Sequence, residues 1–309
     1  MAAYDLIIIG AGPAGLTAGL YAGRFRLKAL ILEKMTVGGQ IILSSTIENY
    51  PGFPGSIATF ELIEKISQQV KEVGINIENA EVLEIIPSKE LPIPVYNIKT
   101  QDNSYQARSV IIASGAQSRR LGVEGEEKFI GRGVSYCGTC DGPLFKNKDI
   151  ILVGGGDRAI EEALFLSSYA RKVTVVHRRQ QLRASKILEE KARLNQKINF
   201  LLDSVIEKII GKDRVEEVQI KNVATGALST VCCQGVFIFV GISPNTNFLR
   251  NLLQIDDSGF IITNQNSQTS LQGIFACGDC LKKSLYQVIN ACGEGAVAAD
   301  SAHKYLLNL

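Results

Sequence analysis

Short runs of consecutive apolar residues, each closed by glycine, small residues or a charge, recur along the chain. LIII (6–9), ALIL (29–32), VII (110–112), IILV (150–153) and IFA (274–276) carry no polar position, and VTVV (173–176) only Thr174. Strands of this kind are buried on both faces, as in a parallel sheet flanked by helices. The pattern predicts an α/β chain built from strand–turn–helix units.

Two of these units carry the same turn. After Leu6–Ile9 comes Gly10-Ala11-Gly12-Pro13-Ala14-Gly15 and a helix of small residues. The first glycine makes the tight turn, the second lets backbone approach a pyrophosphate at the helix N-terminus, and the third allows close helix–strand packing. The next strand ends in Glu33, at the roughly 20-residue distance where a carboxylate takes ribose hydroxyls. After Ile150–Val153 the turn recurs as Gly154-Gly155-Gly156-Asp157-Arg158-Ala159. The strand that follows ends at His177, as far beyond Gly154 as Glu33 is beyond Gly10. An internal repeat of the whole unit is the economical reading. Here the acid is replaced by His177, Arg178 and Arg179, with Arg183 one helical turn further. Arginines accept a 2′-phosphate that an acid repels, so the second site suits NADPH and the first FAD. A basic surface helix start is the competing reading of the arginines.

Composition narrows the partners. The 309 residues include 33 basic and 31 acidic side chains, a net charge of +2, with 46% hydrophobic and 21% charged residues. No large basic field points to nucleic acid or an anionic membrane. No apolar run reaches the ~18 residues of a spanning helix, and MAAYDLIIIG has no basic region typical of a signal peptide. A cytoplasmic protein of about two domains is expected.

Seven cysteines stand at 137, 140, 232, 233, 277, 280 and 292. An odd, scattered set is no disulfide scaffold in a reducing compartment. Cys137-Gly-Thr-Cys140-Asp141 is open to metal, staple or redox readings. Zinc would need Cys277 and Cys280 as a second pair, but the gap from Cys140 far exceeds the usual ~15–20 residues. That leaves electron transfer, with no metal site. Reducing a disulfide by hydride leaves a sulfur that needs a proton. Of two histidines, His177 belongs to the nucleotide strand and His303 to the C-terminal helix, so Asp141 is the better candidate acid. Its competing role is a helix cap. Cys232 and Cys233 sit in an apolar stretch and read as core, one on each face. Cys277 and Cys280 read as buried small side chains.

GAGPAG, GGQ (38–40), ENYPG (48–52), ASGA (113–116), GRGVSYCGTCDG (131–142), GGGDRAIEEA, HRRQQLRA (177–184), FVGISPNT (239–246), GDC and YQVINACGEGAVAA (286–299) occur in this order. With them the chain resembles, end to end, the low-molecular-weight thioredoxin reductases of the flavin disulfide-reductase superfamily. The resemblance implies two Rossmann-like domains. An FAD domain (1–116 and 245–309) is interrupted by an NADPH domain (117–244) that carries the CxxC pair, and VYNIKT (95–100) belongs to small antiparallel inserts. It implies FAD contacts at Gly10, Gly12, Pro13, Ala14, Gly15, Glu33, Gly39, Gln40, Asn49, Ala113, Gly115, Gly278, Asp279, Gln287 and Val288, where the last helix begins near Gly293. NADPH contacts fall at Gly154, Gly156, Arg158, Ala159, His177, Arg178, Arg179 and Arg183. Hydride passes from NADPH to FAD, then two electrons pass through Cys137 and Cys140 to thioredoxin or a thioredoxin-like protein. Cys140 is then the sulfur nearer the flavin, Cys137 the attacking one, and Asp141 the acid. A homodimer is implied, as is a swing of the inserted domain about 115–118 and 241–245.

Arg158 departs from the small residue usual there. An arginine in a helix's first turn opposes the dipole; either Glu161 and Glu162 compensate, or it grips a phosphate, or it obstructs the site. Obstruction is the path to the alternative reading, a related flavoenzyme fed by ferredoxin instead of NADPH, although HRRQQLR is intact. Ferredoxin–NADP reductases share the plan but lack CxxC. A flavin-bearing sensor whose pair only reports oxidation is the non-enzyme alternative.

Overall fold

A computed structural model describes residues 4–43, 46–47, 49–88 and 94–309; Glu48 of the ENYPG motif lies outside them. Six α-helices occur among the described residues: α1 (Pro13–Arg24), α2 (Thr59–Glu72), α3 (Gly138–Asp141), α4 (Asp157–Ser167), α5 (Lys186–Leu194) and α6 (Val288–Leu307). The chain divides into two compact units. The first comprises Met1–Ile42, Tyr50–Gln117 and Ser243–Leu309; the second comprises Leu43–Asn49 and Ser118–Ile242.

The first unit is organised on strand Ser104–Ile112. One edge pairs in parallel with Tyr4–Ile9, which pairs with Ala29–Glu33, which pairs with Asn76–Asn79. The other edge is shared. Its first half pairs antiparallel with Tyr96–Thr100 and its second half in parallel with Ile274–Ala276. Tyr96–Thr100 continues antiparallel to Val82–Pro87, which gives the VYNIKT insert its place. The continuous apolar runs are explained by burial on both faces. Ile7, Ile9, Leu30 and Leu32 join a cluster with Ile98, Leu249 and Ile274. Their neighbours Leu6, Ile8 and Ile31 are fully buried too, and Gly19 of α1 leaves room for the Ile31 side chain. Each such side chain contributes about 1.5–3 kcal/mol, so the runs alone account for much of the drive to form this sheet.

The second unit holds a five-stranded parallel sheet in the order Val134–Ser135, Gly235–Ile238, Asp149–Val153, Lys172–Val176, Ile198–Leu201. Alternation within one strand sorts its two cores. Ile150 and Leu152 pack with Ile160, Ala163 and Leu166 of α4. Ile151 and Val153 pack with Ile206, Val218 and Ile220, from a three-stranded antiparallel meander (Ser204–Ile210, Glu217–Asn222, Leu228–Cys232).

Three expectations are corrected. α6 begins at Val288, with Gln287 as its N-cap, five residues earlier than Gly293. Arg178 to Arg183 do not form a helical turn; α5 starts only at Lys186. Cys232 is not core. It ends a mostly exposed edge strand, whereas Cys233 is fully buried.

Candidate active site

Gly10 adopts φ +105°, a region that disfavours side chains. A Cβ there would overlap the Ala113 carbonyl oxygen, and one on Gly15 would overlap that of Gly10. These contacts draw α1 onto the strands that end at Ile9 and Ile112. Gly12 differs from both. It is the N-cap of α1 in ordinary extended geometry, no side chain caps the helix, and a Cβ would meet nothing within 4 Å. Pro13 fills the first helical position, where its missing N–H costs nothing. Open space therefore lies over the uncapped first turn of a twelve-residue helix, the arrangement that receives a phosphate.

Glu33 reaches this loop from the neighbouring strand: Oε2 accepts from Ala11 N at 2.7 Å and Oε1 from Met35 N at 2.9 Å. Gly39, at φ +61°, comes close to Gly12; a Cβ on it would stand 3.3 Å from the Gly12 α-carbon. Gln40 follows, exposed, in a short 3₁₀ segment. A Cβ on Gly278 would stand 2.9 Å from that of Ala14. The first unit thus gathers Gly10, Gly12, Pro13, Ala14, Gly15, Glu33, Gly39, Ala113 and Gly278 at one helix start. Asp279 lies in the turn that follows strand Ile274–Ala276, and Gly115 takes φ +67° just past Ala113. Val288 opens α6 behind Gln287. Asn49 is exposed and falls in the second unit.

The second loop repeats the construction. Gly154 has φ +157°, and a Cβ there would lie 2.6 Å from that of Ala159, so the alanine takes the third glycine's place. Gly156 is the N-cap of α4, uncapped by a side chain and open around its α-carbon. The basic segment is tied to this turn. Gly155 O accepts from Arg183 N at 2.6 Å and Ala184 N at 3.1 Å, and Asp157 Oδ1 accepts from Ser185 N at 2.6 Å. Leu182 and Ala184 are buried as anchors, while Arg178, Arg179 and Arg183 are exposed. His177 is 6% exposed and packs under Gly155, with Nε2 3.2 Å from Gln181 O. Burial lowers its pKa, and the surrounding arginines push the same way. Arg158 lays its guanidinium over the Phe239 ring, 5.8 Å from the centroid.

In the same unit Cys137 and Cys140 form a disulfide. Cys137 is the N-cap of α3 and its sulfur accepts from Cys140 N at 3.2 Å. Ser135 Oγ donates to Cys137 O and accepts from Cys137 N, which fixes the turn. Asp141 closes α3 and makes no capping bond to the 3₁₀ turn after it. Burial raises its pKa, and a hydrogen bond from Ser135 offsets part of the rise. A carboxyl that burial holds above its ordinary range, beside a disulfide, is equipped for acid catalysis.

Residues 4–295 match the sequence model of the pyridine nucleotide-disulphide oxidoreductases. A curated thioredoxin reductase from Listeria monocytogenes is 44% identical over 307 residues, covering 99% of this chain and 95% of the relative. One from Peptoclostridium acidaminophilum is 42% identical over 309 residues, covering 98% and 97%. The chain belongs to the thioredoxin reductase family. The thioredoxin reductase structure from Streptococcus pyogenes superposes with a TM-score of 0.91 at 45% identity, covering 99% of both chains.

In this thioredoxin reductase chain the two cysteines that flank Gly278 and Asp279 are quiet. Cys277 and Cys280 are fully buried free thiols. Cys280 Sγ donates to Cys277 O at 3.2 Å. Burial pushes both thiols up, Cys280 to about 12, so neither supplies a thiolate. Among the described residues no cluster of three or more His, Cys, Asp or Glu is placed to hold a metal, and no helix is long and apolar enough to cross a membrane. Two half-buried charged groups escaped the motif reading. Lys283 pairs with Glu294 and, at 3.7 Å, with Asp279, while Glu294 Oε2 accepts from Gly278 N at 2.8 Å. The i, i+4 spacing from Asp279 to Lys283 was the available signal. Glu162, on α4, lies against Gly138; in sequence it is one of two adjacent helical acids.

Proposed function

We propose that this protein is an FAD-containing, NADPH-dependent thioredoxin-disulfide reductase. The observation that carries the reading is a Cys137–Cys140 disulfide backed by the half-buried carboxyl of Asp141, in one unit with an open, arginine-flanked glycine turn. The open N-terminus of α1 with Glu33 fits FAD, and that of α4 with Arg178, Arg179 and Arg183 fits NADPH. FAD, when bound, supplies the two-electron link between nicotinamide and disulfide.

The chain's own residues do the rest. Backbone N–H groups after Gly12 and Gly156 receive pyrophosphates, with Gly10, Pro13, Ala14, Gly15, Gly154 and Ala159 shaping the turns. Glu33 accepts from ribose hydroxyls, and Asp279 accepts from a hydroxyl of the flavin side chain. Gly39, Gln40, Asn49, Ala113, Gly115, Gly278, Gln287 and Val288 complete the flavin contacts. Arg178, Arg179 and Arg183 take the 2′-phosphate bidentately, His177 supports their loop from beneath, and Arg158 adds positive charge beside the pyrophosphate. Asp141 gives its proton to the sulfur of Cys140 as the disulfide opens. Cys137 attacks the disulfide of thioredoxin, and exchange passes through a mixed disulfide. The exposed arginines speak against the ferredoxin-linked alternative, which has no use for a 2′-phosphate grip.

The test is NADPH-driven thioredoxin turnover, read by insulin reduction, alongside anaerobic bleaching of the flavin by NADPH and NADH. Turnover with NADPH in preference to NADH supports the reading. No bleaching with either overturns the NADPH assignment. We also propose a homodimer and a cytoplasmic site of action. Ile289 and Val297, exposed on one face of α6, support the first; light scattering tests it. The exposed free thiol of Cys232 suits a reducing compartment.

A further inference from the structure

The redox helix rests on α4. Its residues Glu162, Phe165 and Leu166 face α3 and the turn that follows it, where Gly138 and Gly142 stand opposite. A Cβ on Gly142 would lie 3.0 Å from Leu166 Cδ2 and 3.2 Å from Phe165 Cε1; one on Gly138 would overlap Glu162 Oε2. Gly138 is the residue directly after Cys137. The carboxyl of Glu162 therefore presses on the backbone between the two sulfur-bearing residues, in the space a side chain would take. Its Oε2 is sealed from solvent, and no donor among the described residues bonds to it. Burial raises Glu162 to about 6, with Glu161 adding to the rise and Arg158 opposing it. The ionisable groups of α3 are the two cysteines and Asp141. Of the basic residues of the neighbouring α5, Lys186 and Arg193 are engaged by Glu189, and Lys191 is exposed to solvent.

We propose that Glu162 is a positioning residue for the disulfide relay, its charge setting how readily Cys137 and Cys140 exist as thiolates once their bond is opened. Opening the bond takes two electrons and leaves two sulfurs: one is protonated from Asp141, the other carries negative charge or takes a proton from solvent. An ionised carboxyl pressed on the same backbone opposes that charge; a neutral one does not. This rests on reading Cys137–Cys140 as the redox pair.

The experiment compares the wild type with Glu162→Gln, a substitution of nearly equal shape. The purified full-length proteins are reduced with dithiothreitol and alkylated with iodoacetamide from pH 5 to 9. Mass spectrometry follows each cysteine peptide separately, so that exposed Cys232 does not interfere. Removing the anion lowers the alkylation midpoint of the pair by roughly one pH unit, about tenfold more thiolate at pH 7. The equilibrium with dithiothreitol moves up to about tenfold towards the reduced pair, or about 30 mV. Gly138→Ala, which displaces the same carboxyl, moves both readouts in the same direction. Superimposable profiles and unchanged equilibria in the two folded variants overturn the proposal. Neither measurement uses NADPH or thioredoxin, so a failed turnover assay leaves this inference standing, and the reverse also holds.

Discussion

Replacing Gly12 by alanine separates a folding glycine from a binding one. The new methyl meets nothing within 4 Å, and Gly12 holds φ −73°, which alanine adopts freely. Losing glycine's freedom in the unfolded chain stabilises by about 0.4–1 kcal/mol. Alanine is a poorer N-cap than glycine, at a cost of about 0.5–1 kcal/mol. The two effects cancel, and the apoprotein should melt within a few degrees of wild type. The methyl nevertheless occupies the space over the first turn of α1 that a pyrophosphate needs. Crowding a close approach costs about 1–3 kcal/mol, a roughly 5- to 150-fold weaker affinity for FAD at 1.4 kcal/mol per decade. Gly15→Ala is the contrast. Its methyl collides with the Gly10 carbonyl, so the apoprotein itself should lose stability. Gly156→Ala repeats the first experiment in the second unit, where φ is −96° and the space is again open; it should weaken NADPH and leave FAD untouched. The assays are thermal melting of apoprotein and titration calorimetry with each nucleotide. Wild-type FAD affinity in folded Gly12→Ala would refute the pyrophosphate assignment, whatever the activity.

Cys140→Ser should abolish thioredoxin turnover while leaving flavin reduction by NADPH intact; an active variant ends the relay mechanism. Arg178→Ala and Arg183→Ala should each raise the KM for NADPH about tenfold or more with little effect on NADH, since each removes a charge-assisted contact worth about 1.5–3 kcal/mol, and equal losses with both nucleotides would argue against a 2′-phosphate site. Glu162→Gln should change the pH dependence of stability. The carboxyl ionises near 4.5 when unfolded and near 6 when folded, so the folded wild type binds the extra proton and loses stability as pH rises through that window. The loss reaches about 2 kcal/mol, and denaturant unfolding should find the variant favoured at pH 8 relative to pH 4. A pH-independent difference would contradict the sign. Cys277→Ala with Cys280→Ala should leave turnover unchanged, because both thiols are buried and held protonated.

The parallel sheets were legible because burial on both faces forces uninterrupted apolar runs, and Leu6–Ile9 and Ile150–Val153 announce themselves that way. The glycine turns were legible because steric necessity at Gly10 and Gly15 leaves few alternatives. What sequence patterns miss is contact between elements that share no motif. Glu162 looks like any helical acid until Gly138 stands opposite it. Lys283 looks like half of a basic pair until Glu294 closes on it. The start of α6 escapes the sequence because its N-cap, Gln287, is not one of the preferred capping residues and makes no side-chain cap. Cys232 and Cys233 were assigned to one apolar stretch, but a strand at the edge of a meander buries only one face.

The sheet of the first unit needs Ile274–Ala276 beside Ser104–Ile112, and α6 packs along α1. Those pieces leave the ribosome after the whole of the second unit. The second unit, finished once residue 242 has been made, has all its strands and helices earlier. Domains usually mature in the order in which they begin, but here the order is inverted. The interrupted half waits as an incomplete sheet, with the edge of Ser104–Ile112 unsatisfied, until Ser243–Leu309 arrive. A released fragment that ends at residue 242 should therefore yield a protease-resistant inserted unit flanked by a digestible N-terminal third.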